Sequence, residues 1–99
     1  MTLYDQKLQL VCEYIQQHLD DELDLDRLSQ VASLSKFHFH RIFLANVGVN
    51  VMKFIQLSRL KRASFQLAFS TDIKIIDIAL QSGFESPEAF SRAFKRSFD

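Results

Sequence analysis

The sequence contains no tryptophan, one cysteine, one proline and two glycines in 99 residues. Each scarcity excludes something. The lone thiol, Cys12, argues for a reducing setting, and its ordinary reading is a small buried hydrophobe on the apolar side of a helix. So little glycine leaves no glycine-rich phosphate loop, and no run alternates apolar with polar residues as a half-buried strand would. There is no secretory apolar stretch and no run of 18 apolar residues, so no membrane partner is expected and the expected localisation is cytoplasmic. Catalysis has no foothold either: there is no Ser/His/Asp or Cys/His set and no paired carboxylates in an apolar setting, so an enzyme is the weakest reading. His38 and His40 lie two apart on a helix and point about 200° from each other, so they cannot close on one metal. No metal and no cofactor are expected.

What is present is apolar and helical. Forty-seven per cent of the residues are hydrophobic and ten are phenylalanine, enough for a phenylalanine-based core if both halves of a short chain share it. The fold class expected is all-α. Leu3, Leu8, Val11, Cys12, Ile15 and Leu19 follow a helical period, with His18 near the carbonyl end of that helix. Asp20, Asp21 and Glu22 read as a solvated linker. Asp24 can cap a short helix carrying Leu25, Leu28, Val31 and Ala32, and Ser35 can cap another with Phe39, Ile42 and Phe43 on one side, ended by Gly48. From Asn50 to about Phe69 a segment without Pro or Gly reads as a long helix of roughly 30 Å. It shows two apolar stripes, Leu57, Leu60, Ser64, Leu67 and Ala68 on one side and Val51, Phe54 and Phe65 on another, which predicts cover from two directions.

Beyond this central helix the earlier design returns. Ile75, Ile78 and Ala79 repeat Leu25, Leu28 and Ser29 at a constant offset, and Gly83 and Phe84 repeat Ser33 and Leu34 at the same offset. After one inserted residue, Phe90, Arg92, Phe94 and Phe98 repeat Phe39, Arg41, Phe43 and Val47. The pattern is an internal duplication of helix, tight turn and helix. Ser86-Pro87-Glu88 is a helix start in which Ser caps, Pro takes the first helical position and the acid meets the positive end of the dipole. The expected organisation is therefore a first helix-turn-helix subdomain over 1–48, a linker helix over 49–70 and a second subdomain over 71–99.

The formal net charge is zero, but its distribution is polarised. Residues 1–35 hold seven acidic residues against Lys7 and Arg27, and residues 36–99 hold ten basic against five acidic. Stepping at 100° places Phe37, His40, Arg41 and Leu44 opposite the core side of the first unit's second helix, with Lys36 at its edge. In the second unit Phe90, Ala93, Phe94 and Phe98 face inward, leaving Glu88, Ser91, Arg92, Lys95 and Arg96 outward. Such faces suit a major groove: Arg grips guanine edges, His donates to an acceptor, an aromatic ring touches thymine methyls, and Glu accepts from cytosine N4 or holds Arg92 in place. Singly, the lysines and arginines read as solvated charges; grouped on the outward faces of a repeated unit, they read as phosphate contacts. Arg59 and Arg62, on the strut, read first as partners of Asp or Glu.

The segments LSQVASLSKFHFHRIF, FIQLSRLKRASFQLAF and IIDIALQSGFESPEAFSRAFKRSF together resemble the DNA-binding domain of AraC/XylS-type bacterial transcription regulators, from about Leu3 to the last residue. IALQSGFESPEAFSRAFKRSF is the most specific part, and Arg59-Leu60 with Ala63 also matches. The resemblance implies two helix-turn-helix units joined by a rigid helix, with the second helix of each unit entering successive major-groove segments on one face of double-stranded promoter or operator DNA. It assigns base reading to Phe37, His40 and Arg41 in the first unit and to Glu88 and Arg92 in the second. Phosphate contacts are expected at Ser35, Lys36, Asn50, Lys74, Ser91, Lys95 and Arg96. Pro87 stands where members often place a polar, base-contacting side chain. Asp99 stands where they usually have Gly, and the chain stops before the family's short final helix, so a truncated second subdomain is expected. RNA polymerase is a further candidate partner, and an effector-binding domain C-terminal to this stretch is another expectation. The alternative reading is a helical protein-interaction module without DNA binding, using exposed Phe37 and Leu44.

Overall fold

Local signals set the helix boundaries. A computed structural model describes residues 3–69 and 72–98, so Asp99 lies outside the described residues. Among these there are six helices and no strand: α1 (Leu3–Gln17), α2 (Leu25–Val31), α3 (Lys36–Val47), α4 (Val51–Phe69), α5 (Ile75–Gln81) and α6 (Pro87–Phe98). The expected caps form. Asp24 Oδ1 accepts from Arg27 N at 2.8 Å, Ser35 Oγ from His38 N at 3.2 Å and Ser86 Oγ from Ala89 N at 3.1 Å, each satisfying an amide that a helix start leaves open. Asn50 starts α4 in the same way, accepting from Lys53 N at 2.9 Å. Gly48, at φ +94°, ends α3 with its N–H on Leu44 O.

The contacts divide the chain into two compact units, residues 1–55 and 56–99, and the boundary falls within α4. In the first, Leu8, Val11 and Ile15 of α1 pack with Leu28 and Ala32 of the α2 segment, Phe39 and Phe43 of α3, and Val51 and Ile55 at the start of α4. The Phe43 ring meets Phe54 edge-on at 5.5 Å. In the second, Leu60 and Ala63 of α4 pack with Ile78, Ala79, Phe90 and Ala93, with Phe84 edge-on to Phe90 at 5.8 Å. The later part of α4 thus does for α5 and α6 what α1 does for α2 and α3.

The duplication is visible bond by bond. Ser33 N donates to Gln30 O and Leu34 N to Ser29 O; Gly83 N donates to Leu80 O and Phe84 N to Ala79 O. Both pairs are the crossed hydrogen bonds of a Schellman turn, which needs a left-handed residue just past the helix. Ser33 (φ 57°) supplies it in the first unit and Gly83 (φ 87°) in the second. A long cation closes each α2 or α5 end: Lys7 Nζ donates to Ala32 O at 2.9 Å, and Arg62 Nη2 to Gln81 O at 2.9 Å.

Two expectations about packing need correction. The two stripes of α4 are covered only in part: Val51 and Phe54 pack in the first core and Leu60 in the second, but Phe65 is 56% exposed, and Leu67 and Ala68 are exposed as well. Each unit covers only a short length of the helix, so burial alternates along its axis: Val51 and Ile55 go to one unit, Leu60 and Ala63 to the other. Phe98, expected inward, is 51% exposed and rests on Phe94 with ring centroids 4.7 Å apart. Arg62 Nη2 also donates to the Gln81 carbonyl, at the carbonyl end of α5.

Candidate nucleic-acid interface

In the first unit α3 is fixed from below by Phe39 and Phe43, both fully buried. Anchoring that side turns the rest of the helix outward. Phe37 is 72% exposed, and His40, Arg41 and Leu44 are also exposed. Phe37 and Arg41 stand one turn apart, and the Arg41 guanidinium carbon lies 5.5 Å from the Phe37 ring centroid, a cation–π contact worth about 0.5–1 kcal/mol at an exposed site. On one flank Lys36 Nζ sits 3.2 Å from Asp26 Oδ1 of α2. Both side chains are well exposed, so the pair is weak, on the order of 0–1 kcal/mol, and the ammonium can be surrendered to a stronger anion. On the other flank the His38 ring meets Tyr4 edge-on at 5.6 Å, with Nε2 3.5 Å from the tyrosine hydroxyl.

In the second unit Phe90 and Ala93 anchor α6, and Glu88, Ser91, Arg92, Lys95 and Arg96 are exposed. Glu88 lies in the first turn and Lys95 and Arg96 in the last, so each complements the helix dipole. Among the described residues neither Glu88 nor Arg92 takes an ion-pair partner. Lys74 precedes α5, exposed and without a side-chain capping bond. Ser35 and Asn50 spend one side-chain oxygen each on capping α3 and α4.

Each set of expected side chains is thus assembled on the outward face of a helix in its own unit. Sequence reasoning missed the stacking of Arg41 on Phe37, although their four-residue spacing is the signal for it. It also missed Asp26 as the partner of Lys36, for which no short-range signal exists. His18 Nδ1 donates to Tyr14 O at 2.7 Å, and its ring stacks on Tyr14 at 3.9 Å, which is the role expected of it at a helix end. Among the described residues no three His, Cys, Asp or Glu side chains are grouped for a metal, and no helix is long and apolar enough to cross a membrane. Cys12 is half-buried, and burial, with the charge of Glu13 second, pushes its thiol pKa up.

Two copies of a helix, a Schellman turn and a second helix that presents an exposed arginine define the helix-turn-helix class. The helix-turn-helix domain family matches residues 28–99. The uncharacterized HTH-type transcriptional regulator YbfP of Bacillus subtilis (strain 168) is 44% identical over 95 residues, which is 96% of this chain and 32% of that protein. The uncharacterized HTH-type transcriptional regulator SAS0078 of Staphylococcus aureus (strain MSSA476) is 39% identical over 93 residues, 94% of this chain and 12% of that protein. The chain therefore spans a third or less of the length of these relatives. A transcriptional regulator of Chromobacterium violaceum, described by its AraC-type DNA-binding domain, superposes with a TM-score of 0.87 at 26% identity, over 95% of this chain and 83% of that one. The DNA-binding domain of AdpA, a global transcriptional factor solved in complex with a target DNA, gives a TM-score of 0.76 at 26% identity, over 89% of this chain and 78% of that one. The chain belongs to the AraC-type helix-turn-helix family of DNA-binding transcription regulators.

Proposed function

We propose that this chain binds double-stranded DNA sequence-specifically, with α3 and α6 as recognition helices that enter successive major-groove segments. The observation that carries the reading is the duplication itself: two units with the same turn hydrogen bonds and the same serine cap on the second helix each present an arginine, Arg41 or Arg92, at the corresponding outward position. An arginine there can bond guanine O6 and N7 together. In the first unit Phe37 and His40 join Arg41; in the second Glu88 joins Arg92, accepting from cytosine N4. Ser35, Lys36, Asn50, Lys74, Ser91, Lys95 and Arg96 flank these faces and contact phosphates, which sets register without reading sequence. Proline at position 87 presents no hydrogen-bonding side chain, so the second unit reads bases with Glu88 and Arg92 alone. The whole regulator acts in the cytoplasm, where it alters the access of RNA polymerase to a promoter.

The test is fluorescence anisotropy of labelled duplexes titrated with this chain at several salt concentrations. Neutralising Z phosphates gives a slope of log K against log salt near −0.9Z, so several contacts yield a slope of several units. Arg41→Ala and Arg92→Ala each weaken binding to a selected site by about 1–3 kcal/mol and weaken random duplex much less. Equal losses on both duplexes reduce these residues to phosphate contacts. Absence of binding at low salt rejects the proposal and favours a protein partner on the exposed apolar Phe37 and Leu44 of α3.

A further inference from the structure

The Phe37–Arg41 contact bears on which base step the first unit prefers. Arginine held in the plane of guanine needs its guanidinium oriented, and a ring against one face of that group orients it without using its N–H donors. The Arg41 guanidinium carbon lies over the Phe37 ring, 5.5 Å from its centroid, and Phe37 is 72% exposed, so most of its ring remains available to a ligand. Successive base pairs lie about 3.4 Å apart. A ring 5.5 Å from a guanidinium seated on a guanine edge lies between one and two such steps away, within reach of the neighbouring base pair. The apolar group that the major groove offers there is the C5-methyl of thymine; cytosine offers only its N4 donor, and adenine and guanine offer polar edges.

We propose, resting on the DNA-binding reading above, that the first unit recognises a guanine adjacent to a 5-methylpyrimidine, with Arg41 on the guanine and Phe37 on the methyl group. Thymine and 5-methylcytosine present the same C5-methyl to the groove, so Phe37 accepts either and discriminates against unmethylated cytosine and uracil. Binding to a site of this kind therefore responds to cytosine methylation at the step next to the guanine. The second unit has no counterpart: Glu88 occupies the position corresponding to Phe37, and the methyl requirement belongs to one half of the site.

The experiment begins with selection of bound sequences from a random duplex library by this chain. In the recovered site, thymines next to guanines are replaced one at a time by deoxyuridine, by cytosine and by 5-methylcytosine paired with guanine, and guanines by 7-deazaguanine. Affinities are measured for the wild type, Phe37→Ala and Arg41→Ala. Phe37 is exposed, so its truncation leaves the core intact; circular dichroism checks this. One thymine-to-uracil change is expected to weaken the wild type about fourfold, the value of one buried methyl group, and to leave Phe37→Ala unchanged. 5-Methylcytosine is expected to bind more tightly than cytosine by a similar factor, again only when Phe37 is present. Removal of the adjacent guanine N7 weakens the wild type and not Arg41→Ala. The inference is overturned if uracil equals thymine at every such step, or if the loss is the same in Phe37→Ala. A selection that recovers no preferred sequence, with no salt-dependent binding, overturns the DNA-binding reading instead.

Discussion

The two Schellman turns allow one chemical exchange to be made in opposite directions. Ser33 holds φ at 57° where its repeat, Gly83, holds 87°. A side chain in the left-handed region costs roughly 1–2 kcal/mol, whereas glycine costs about 0.4–1 kcal/mol through the freedom it adds to the unfolded chain. The difference predicts that Ser33→Gly stabilises the first unit by about 0.5–1 kcal/mol. Gly83→Ser meets the same balance with the opposite sign and a further obstacle: a Cβ at Gly83 would lie 3.3 Å from Arg59 Nη1 and 4.0 Å from Arg59 Cδ. The guanidinium must yield by a few tenths of an ångström, so the loss is larger, about 1–2 kcal/mol. Gly48 is the control. Its φ is +94°, and a Cβ added there would meet nothing within 4 Å, so Gly48→Ala carries the backbone cost alone. Urea unfolding followed by far-UV circular dichroism gives the three values, and thermal midpoints should move by roughly 4–8 °C per kcal/mol for a domain of this size. If Ser33→Gly destabilises, the Ser33 side chain contributes something beyond the turn geometry, and the balance drawn from φ alone is refuted. If Gly83→Ser costs no more than Gly48→Ala, the Arg59 obstacle is refuted.

Other side chains give outcomes of their own. Ser82 is buried and its hydroxyl has no hydrogen-bond partner among the described residues, while the equivalent residue of the first unit is Ala32; Ser82→Ala should stabilise by about 1 kcal/mol in urea unfolding. Phe90 is almost fully buried at the centre of the second unit, and Phe90→Ala should cost about 3–5 kcal/mol, leaving proteolysis to cut residues 56–99 before the first unit. The Cys12 thiol pKa is raised above its ordinary value of 9.0 by burial and then by Glu13. Folding thus favours the protonated form: that contribution is fully present below about pH 9 and is lost as pH rises through the folded-state value. Alkylation by iodoacetamide at pH 8 should be slow until urea is added, and Cys12→Ala should flatten the loss of stability above pH 9. Finally, residues 1–55 carry five Lys and Arg against seven Asp and Glu, and residues 56–99 carry seven against five. Lys95→Gln with Arg96→Gln should accordingly reduce the salt slope of DNA binding by about 2, each removed phosphate contact accounting for nearly one, and Asp26→Asn should leave that slope unchanged or raise it.

The features decided by the sequence alone are those whose physics acts over a few neighbouring residues. Asp24, Ser35 and Ser86 cap because a short oxygen-bearing side chain reaches an amide three positions on. Gly48 and Gly83 end helices because only the local φ matters, and α3 and α6 acquire an inward and an outward face because the helical period is fixed. The duplication, and with it the expected positions of Phe37, Arg41, Glu88 and Arg92 on outward faces, was therefore legible. The tertiary structure decided whatever depends on which surface comes near. Lys7 and Arg62 bind the carbonyls of Ala32 and Gln81, and Lys36 pairs with Asp26, because packing brings the end or side of another helix within reach of a long cation. Phe65, Leu67 and Phe98 have the composition of core residues but remain exposed, because burial requires a covering element and the described residues do not provide one there. An apolar residue at the right period states that it can be buried; only the fold supplies the surface that buries it.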